Sequence, residues 1–199
     1  SGRALRIRCG PIAGLPALAG TAMKWKKLGR LFDPTEHRLT GNCVDYAKSP
    51  QAVVFDNYIR VYFSAVERDR SGKYRSQVHY VDFDRHLRTI KGLSSEPVIP
   101  LGGLGSFDEH GIFPFNVLRY KDAILAYTTG WNRRVSVSVD AAIGLAVSHD
   151  GGSTFRKFGE GPVLAPSLNE PCLVGDAFVA GFKGVFHMWY IYGSRWIED

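Results

Sequence analysis

The chain is poor in the features that helical, disulfide-bonded and membrane-spanning proteins depend on. Its 199 residues include three cysteines, Cys9, Cys43 and Cys172, odd in number and without a Cys-x-x-Cys spacing. That argues against a zinc site and against a disulfide framework. Reduced thiols fit a cytoplasmic protein best. No run of about 18 apolar residues is present, so no membrane span and no membrane partner are expected. No long stretch places apolar residues at i, i+3, i+4 and i+7, which leaves little room for amphipathic helices. His79, His86, His149 and His187 lack metal-ligand spacing, and neither a metal nor any other cofactor is expected.

Acidic residues are also missing from one region. Seven of the 25 Lys and Arg residues lie in residues 1–30, where no Asp or Glu occurs; the other 18 face all 19 acids. The formal net charge of +6 therefore belongs to the leader, and the body is close to neutral. A nucleic-acid reader carries its basic patch on the fold, so nucleic acid is not expected as a partner. Residues 1–22 hold Pro11 and Pro16 among Ala and Gly and contain no aromatic residue. They read as a leader without fixed structure. It is either translated ahead of Met23, or an export signal that would make the protein secreted, or an arm packed on the body.

What the chain has in quantity is aromatic residues (13%), 22 glycines and 10 prolines, the composition of short strands and turns. Three segments repeat: residues 49–65, 113–130 and 170–193. Each begins at a proline (Pro50, Pro114, Pro171) and continues with an apolar run, a polar turn and an aromatic strand. The turns fall at Asp56-Asn57, Lys121-Asp122 and Lys183-Gly184, which predicts hairpins. Further strands are predicted at 74–84 and 141–150. Four strands per unit of about 60 residues matches a propeller blade, which hides its faces only against its neighbours. Trp189, Tyr190 and Tyr192 are expected in the core.

Residues 148–155, Ser-His-Asp-Gly-Gly-Ser-Thr-Phe, resemble the Asp-box of propeller hairpins. Asp150 is placed to accept hydrogen bonds from the backbone of its own turn, Gly152 to adopt positive φ, and Phe155 to anchor the hairpin. The motif is structural and says little about chemistry.

Residues 101–120, 142–155 and 161–179 resemble a group of bacterial five-bladed β-propellers related to the glycoside hydrolases of the arabinanase, β-xylosidase and invertase type. The resemblance implies an all-β fold of four-stranded blades around an axial pocket, with carboxylates from the first three blades facing it. This chain is then a fragment: a leader (1–22) followed by about three blades, approximately 23–100, 101–165 and 166–199. Its open apolar faces would be covered by further chain or by pairing into a homo-oligomer. By the same resemblance Glu170, directly before Pro171, matches the general acid. The aspartates usually found before Pro are replaced by Ser49 and Phe113. Asp45, Asp108 and Glu109 are the nearest carboxylates to take the remaining catalytic places. His110, Trp131, Arg133, Arg134, Arg60 and Asp176 are candidates for substrate binding, because indole faces stack on sugar rings and Arg forks suit an anionic sugar. Two functions follow: an enzyme acting on glycosides, or a non-catalytic carbohydrate-binding or interaction module on the same scaffold.

Overall fold

The structure, a computed structural model, describes residues 24–37, 39 and 43–197, and of residues 43–45 only the backbone. The expected leader (1–22), Cys9 and the Asp45 side chain lie outside the described residues. Residues 1–30 and 31–199 are separate units. In the first, residues 24–30 hold neither helix nor strand.

The second unit is all-β. Among its described residues the one helical element is a 3-10 turn at Pro34–Glu36, capped by the Asp33 carboxylate. The first four-stranded antiparallel meander runs β1 (Cys43–Val54), β2 (Tyr58–Arg68), β3 (Tyr74–Asp84) and β4 (Ile90–Leu93). The second runs β5 (Gly111–Tyr120), β6 (Ala123–Arg133), β7 (Val139–Ser148) and β8 (Arg156–Lys157). A hairpin of β9 (Leu173–Phe182) and β10 (Val185–Gly193) follows. β1 packs against β5 and β5 against β9. The opening strands of the three wedges therefore lie side by side, the radial arrangement of a propeller. The three hairpin turns stand where the sequence places them, with Lys121, Lys183 and Gly184 at positive φ.

Two of the three prolines do not open their strands. Pro50 lies inside β1 and Pro114 inside β5. Each falls at an interruption of the ladder, between Lys48 and Gln51 in one case and between Ile112 and Phe115 in the other. A proline has no N–H to give the ladder, so a bulge is where a strand tolerates it.

The blade faces are filled from both sides. In β2, neighbouring Tyr62 and Phe63 are 0% and 2% exposed. Tyr62 joins Val78, Ile112, Phe115 and Phe155 between the two meanders, and Phe63 joins Ala65, Val81 and Phe83 on the opposite face under Phe32 and Leu39. Ile143, Val174 and Ala177 fill the space between the second meander and the hairpin. Each fully buried side chain of this size contributes about 1.5–3 kcal/mol. The expectation for the last aromatic strand fails in part: Trp189 and Tyr192 are 58% and 55% exposed, and Tyr190 is partly buried. Alternation sends Tyr190 and Met188 toward the core and Trp189 to the other side.

Polar contacts lock the second meander onto the first. Asp150 accepts from the backbone N–H groups of Ser153 and Thr154, both at 3.0 Å, and from the hydroxyls of Thr154 and Ser148. Gly151 and Gly152 take φ of +72° and +83°. Against this turn lie the Tyr62 hydroxyl, donating to the Gly152 carbonyl at 2.7 Å, and Arg60, donating to the Gly151 carbonyl and Ser153 hydroxyl. Arg60 also makes a two-pronged pair with Asp82, both contacts at 2.7 Å, and its guanidinium lies 3.6 Å from the centroid of the Tyr80 ring.

Candidate functional site

Where the opening strands converge they leave a cavity of about 570 Å³. Its walls include Tyr46 and Lys48 of β1, Phe113 of β5, Trp131 of β6, and Leu173 and Asp176 of β9. All three inner strands lose regular register here. β1 shifts three times between Cys43 and Gln51, β5 between Ile112 and Phe115, and β9 opposite Trp189 and Ile191 of β10. Tyr46 (φ 69°), Ser49 (φ 50°) and Asp176 (φ 52°) adopt left-handed backbone inside strands. Such conformations cost about 1–3 kcal/mol each and re-aim side chains. The Asp176 bulge is held from β6, since the Asp176 N–H donates to Thr129 Oγ1 at 2.8 Å. A Cβ on neighbouring Gly175 would lie 2.8 Å from the Thr129 methyl, so this close approach requires glycine. Gly111 in the same way leaves room for the Trp131 indole, whose buried Nε1 has no hydrogen-bond partner among the described residues.

The cavity holds two ionisable groups that do not neutralise each other. The Lys48 ammonium lies 4.0 Å from the centroid of Phe113 and 3.3 Å from the Ser76 hydroxyl. Among the described residues no carboxylate reaches it at ion-pairing distance. Burial holds its pKa below the usual lysine value. The Asp176 carboxyl has no hydrogen-bond or ion-pair partner among the described residues; the residue is exposed overall, and the partial burial of its carboxyl pushes its pKa above the ordinary aspartate value. Rings to stack on, one cation and one carboxyl of raised pKa are the equipment of a pocket for a polar, ring-shaped ligand.

A second, polar cleft of about 540 Å³ is lined by Glu109, His110, Asn132, Arg133, Arg134 and Asp140, among others. Most of its charges are paired within the protein. Glu109 Oε2 accepts from the Gly105 N–H at 2.8 Å, and Oε1 lies 3.9 Å from His110 Nε2. His110 Nδ1 faces Asn132 Oδ1 at 3.3 Å. Arg133 pairs with Asp69 at 2.8 Å and also binds the Tyr74 carbonyl, while Arg134 pairs with Asp140.

The sequence-derived site residues therefore do not converge on one place. Trp131 and Asp176 meet in the axial cavity. Glu109, His110, Arg133 and Arg134 share the polar cleft. Asp108 is fully buried, with Lys157 Nζ 2.6 Å from Oδ2 but outside hydrogen-bond geometry, and Oδ1 has no hydrogen-bond partner. Arg60 is spent on Asp82 and the 151–153 turn. Glu170 stands in the turn before β9, accepting from the Tyr190 hydroxyl at 2.7 Å. Asp45 is placed by its backbone alone, opposite Val66, which lines the axial cavity. Sequence reasoning missed Tyr46, Lys48 and Phe113. Their signal was a proline-containing strand on which no simple alternation can be drawn. Among the described residues no group of His, Cys, Asp and Glu is arranged to hold a metal ion.

No protein-family model matches the chain. Two uncharacterized proteins of Mycobacterium tuberculosis, from strains CDC 1551 / Oshkosh and ATCC 25618 / H37Rv, are each 31% identical over 182 residues. The match covers 88% of this chain and 57% of each relative, so the chain spans little more than half the length of these curated relatives. Among solved structures, BT0996 in a complex with RGII aligns with a TM-score of 0.63 at 11% identity, covering 81% of this chain and 46% of that one. A glycoside hydrolase aligns at 0.51 with 14% identity over 67% and 37% of the two chains. A family 117 glycoside hydrolase produced by the marine bacterium Zobellia galactanivorans aligns at 0.50 with 21% identity over 76% and 45%. These likenesses show the fold: an all-β, propeller-like architecture found in glycoside hydrolases.

Proposed function

We infer that the axial cavity binds a carbohydrate and that the protein is a glycosidase-like propeller. The observation that carries this reading is the convergence of three irregular inner strands on one cavity. It brings together Trp131, Tyr46, Lys48 and an unpaired Asp176 carboxyl of raised pKa. The solved structures of similar fold include glycoside hydrolases, which supports a sugar as the ligand. A titration of oligosaccharides followed by tryptophan fluorescence and calorimetry tests it. A saturating response that Trp131→Ala abolishes supports the cavity as the site. No response to any member of a broad neutral and acidic panel overturns it.

Hydrolysis is the further step. Glycoside cleavage needs two carboxyls across the scissile bond, about 5–5.5 Å apart for retention and about 6.5–9.5 Å for inversion. Asp176, protonated to higher pH than an ordinary aspartate, suits the proton donor, and Asp45 is the candidate partner on β1. Glu170, bound to Tyr190, and Asp108, buried beside Lys157, are less suited to these places. Turnover that survives Asp176→Asn removes Asp176 as the proton donor, and glycan binding without any turnover by the parent protein favours the binding module.

A further inference from the structure

We propose that the axial cavity selects glycans carrying an acidic group, with Lys48 as the residue that receives the carboxylate or sulfate. This rests on the reading of the cavity as a carbohydrate site and adds the class of sugar.

Three observations point to Lys48. First, it is a cation inside a mostly apolar cavity with no carboxylate at ion-pairing distance among the described residues; its partners are a hydroxyl, Ser76 Oγ at 3.3 Å, and the face of Phe113. A half-buried ammonium gains from an anionic partner what the protein itself does not supply. Second, the arginines that the sequence offered for an anion are already engaged: Arg133 with Asp69, Arg134 with Asp140 and Arg60 with Asp82. Among these four cations, Lys48 alone is left for a ligand. Third, β1 gives up regular register to present it. Ladder shifts flank Lys48 on both sides, and Tyr46 and Ser49 adopt left-handed backbone around it. A bulge disrupts the ladder's hydrogen bonds locally, so its gain lies in where it aims the side chain. With Trp131 offering an indole face in the same cavity, the arrangement fits a sugar ring whose acidic substituent reaches the ammonium.

The test pairs each acidic glycan with a matched neutral one: oligogalacturonates against their methyl esters, and sulfated against desulfated oligosaccharides, titrated into the whole chain. The first pair reads a carboxylate and the second a sulfate. In at least one pair the acidic member binds roughly tenfold or more tightly, the scale of a charge-assisted hydrogen bond. Added salt weakens it. Lys48→Met, which keeps the contact with Phe113, brings the acidic member down to its neutral counterpart; Lys48→Arg restores part of the difference. Thermal melting of both variants confirms the fold. If acidic and neutral members bind equally, or the preference survives in Lys48→Met, the acidic selectivity is wrong while the sugar site stands. If no member of either pair, and no other oligosaccharide, binds, both readings fall together.

Discussion

The middle strands and the inner strands of this protein obey different rules. β2 and β3 pair without a shift from Tyr58↔Asp84 to Arg68↔Tyr74, and β6 and β7 from Ile124↔Ser148 to Arg133↔Val139. Their side chains fill the spaces between wedges on both faces. β1, β5 and β9 shift register, and two of them carry left-handed residues. Their side chains line the cavity. The middle strands hold the wedges together, and the inner strands depart from regular register where they line the cavity.

This division is breakable by substitution. The largest effect is expected in the middle of the wedges. Phe115, 1% exposed between the meanders although it belongs to β5, touches Tyr62 and Phe155. Phe115→Ala should cost about 3–5 kcal/mol in urea denaturation, and a loss below about 1 kcal/mol would mean the wedges do not share a core. Arg60→Met strands the Asp82 carboxylate and removes the clasp on the 151–153 turn. About 3 kcal/mol is expected, the lower end for a broken buried pair, with Arg60→Lys intermediate because it cannot reproduce the two-pronged contact.

At the cavity the prediction reverses. Asp176→Asn keeps a residue tolerant of left-handed backbone, so the stability read from urea denaturation should move by less than about 0.5 kcal/mol. Glycan binding or turnover should fall at least tenfold in the same protein. Tyr46→Gly should raise stability by up to about 1 kcal/mol by relieving a positive φ, while weakening glycan binding. A drop in stability would show that Tyr46 is there for the fold.

The smallest effect is in acid. Burial raises the pKa of Asp150, but hydrogen bonds from Thr154, Ser148 and Ser153 outweigh it and bring the value down to about 2. A carboxylate with a depressed folded pKa adds stability above its unfolded value. That contribution fades as pH falls from about 4 toward 2. Thermal melts over that range should show a shallower loss in Asp150→Asn than in the parent, and parallel curves would remove Asp150 from the acid response.

The legible parts of the sequence were those with local causes. Hairpin turns at Lys121 and Lys183, the 148–155 turn, and strands β3 and β7 each rest on residues close in the chain. The aromatic density and the absence of helical periodicity carried the all-β architecture. The residues of the candidate cavity were readable only in part. Trp131 and Asp176 were named, but Lys48 and Tyr46 sit on a strand interrupted by Pro50, where no alternation tells which way a side chain points. Arg133 looked available because its partner Asp69 becomes a neighbour only when the turn after β2 meets the end of β6, whereas Arg134 pairs with Asp140 across the β6–β7 turn. Asp108 and Glu109, adjacent in sequence, end in different surroundings, one sealed beside Lys157 and one at the polar cleft.

Composition and repeat by themselves determined that this chain forms β wedges which cover one another, because turn chemistry and alternation act over a few residues. Which acids and cations stay unpaired was decided only in the tertiary structure. Pairing depends on groups distant along the chain meeting across wedges, and on where an inner strand departs from regular register.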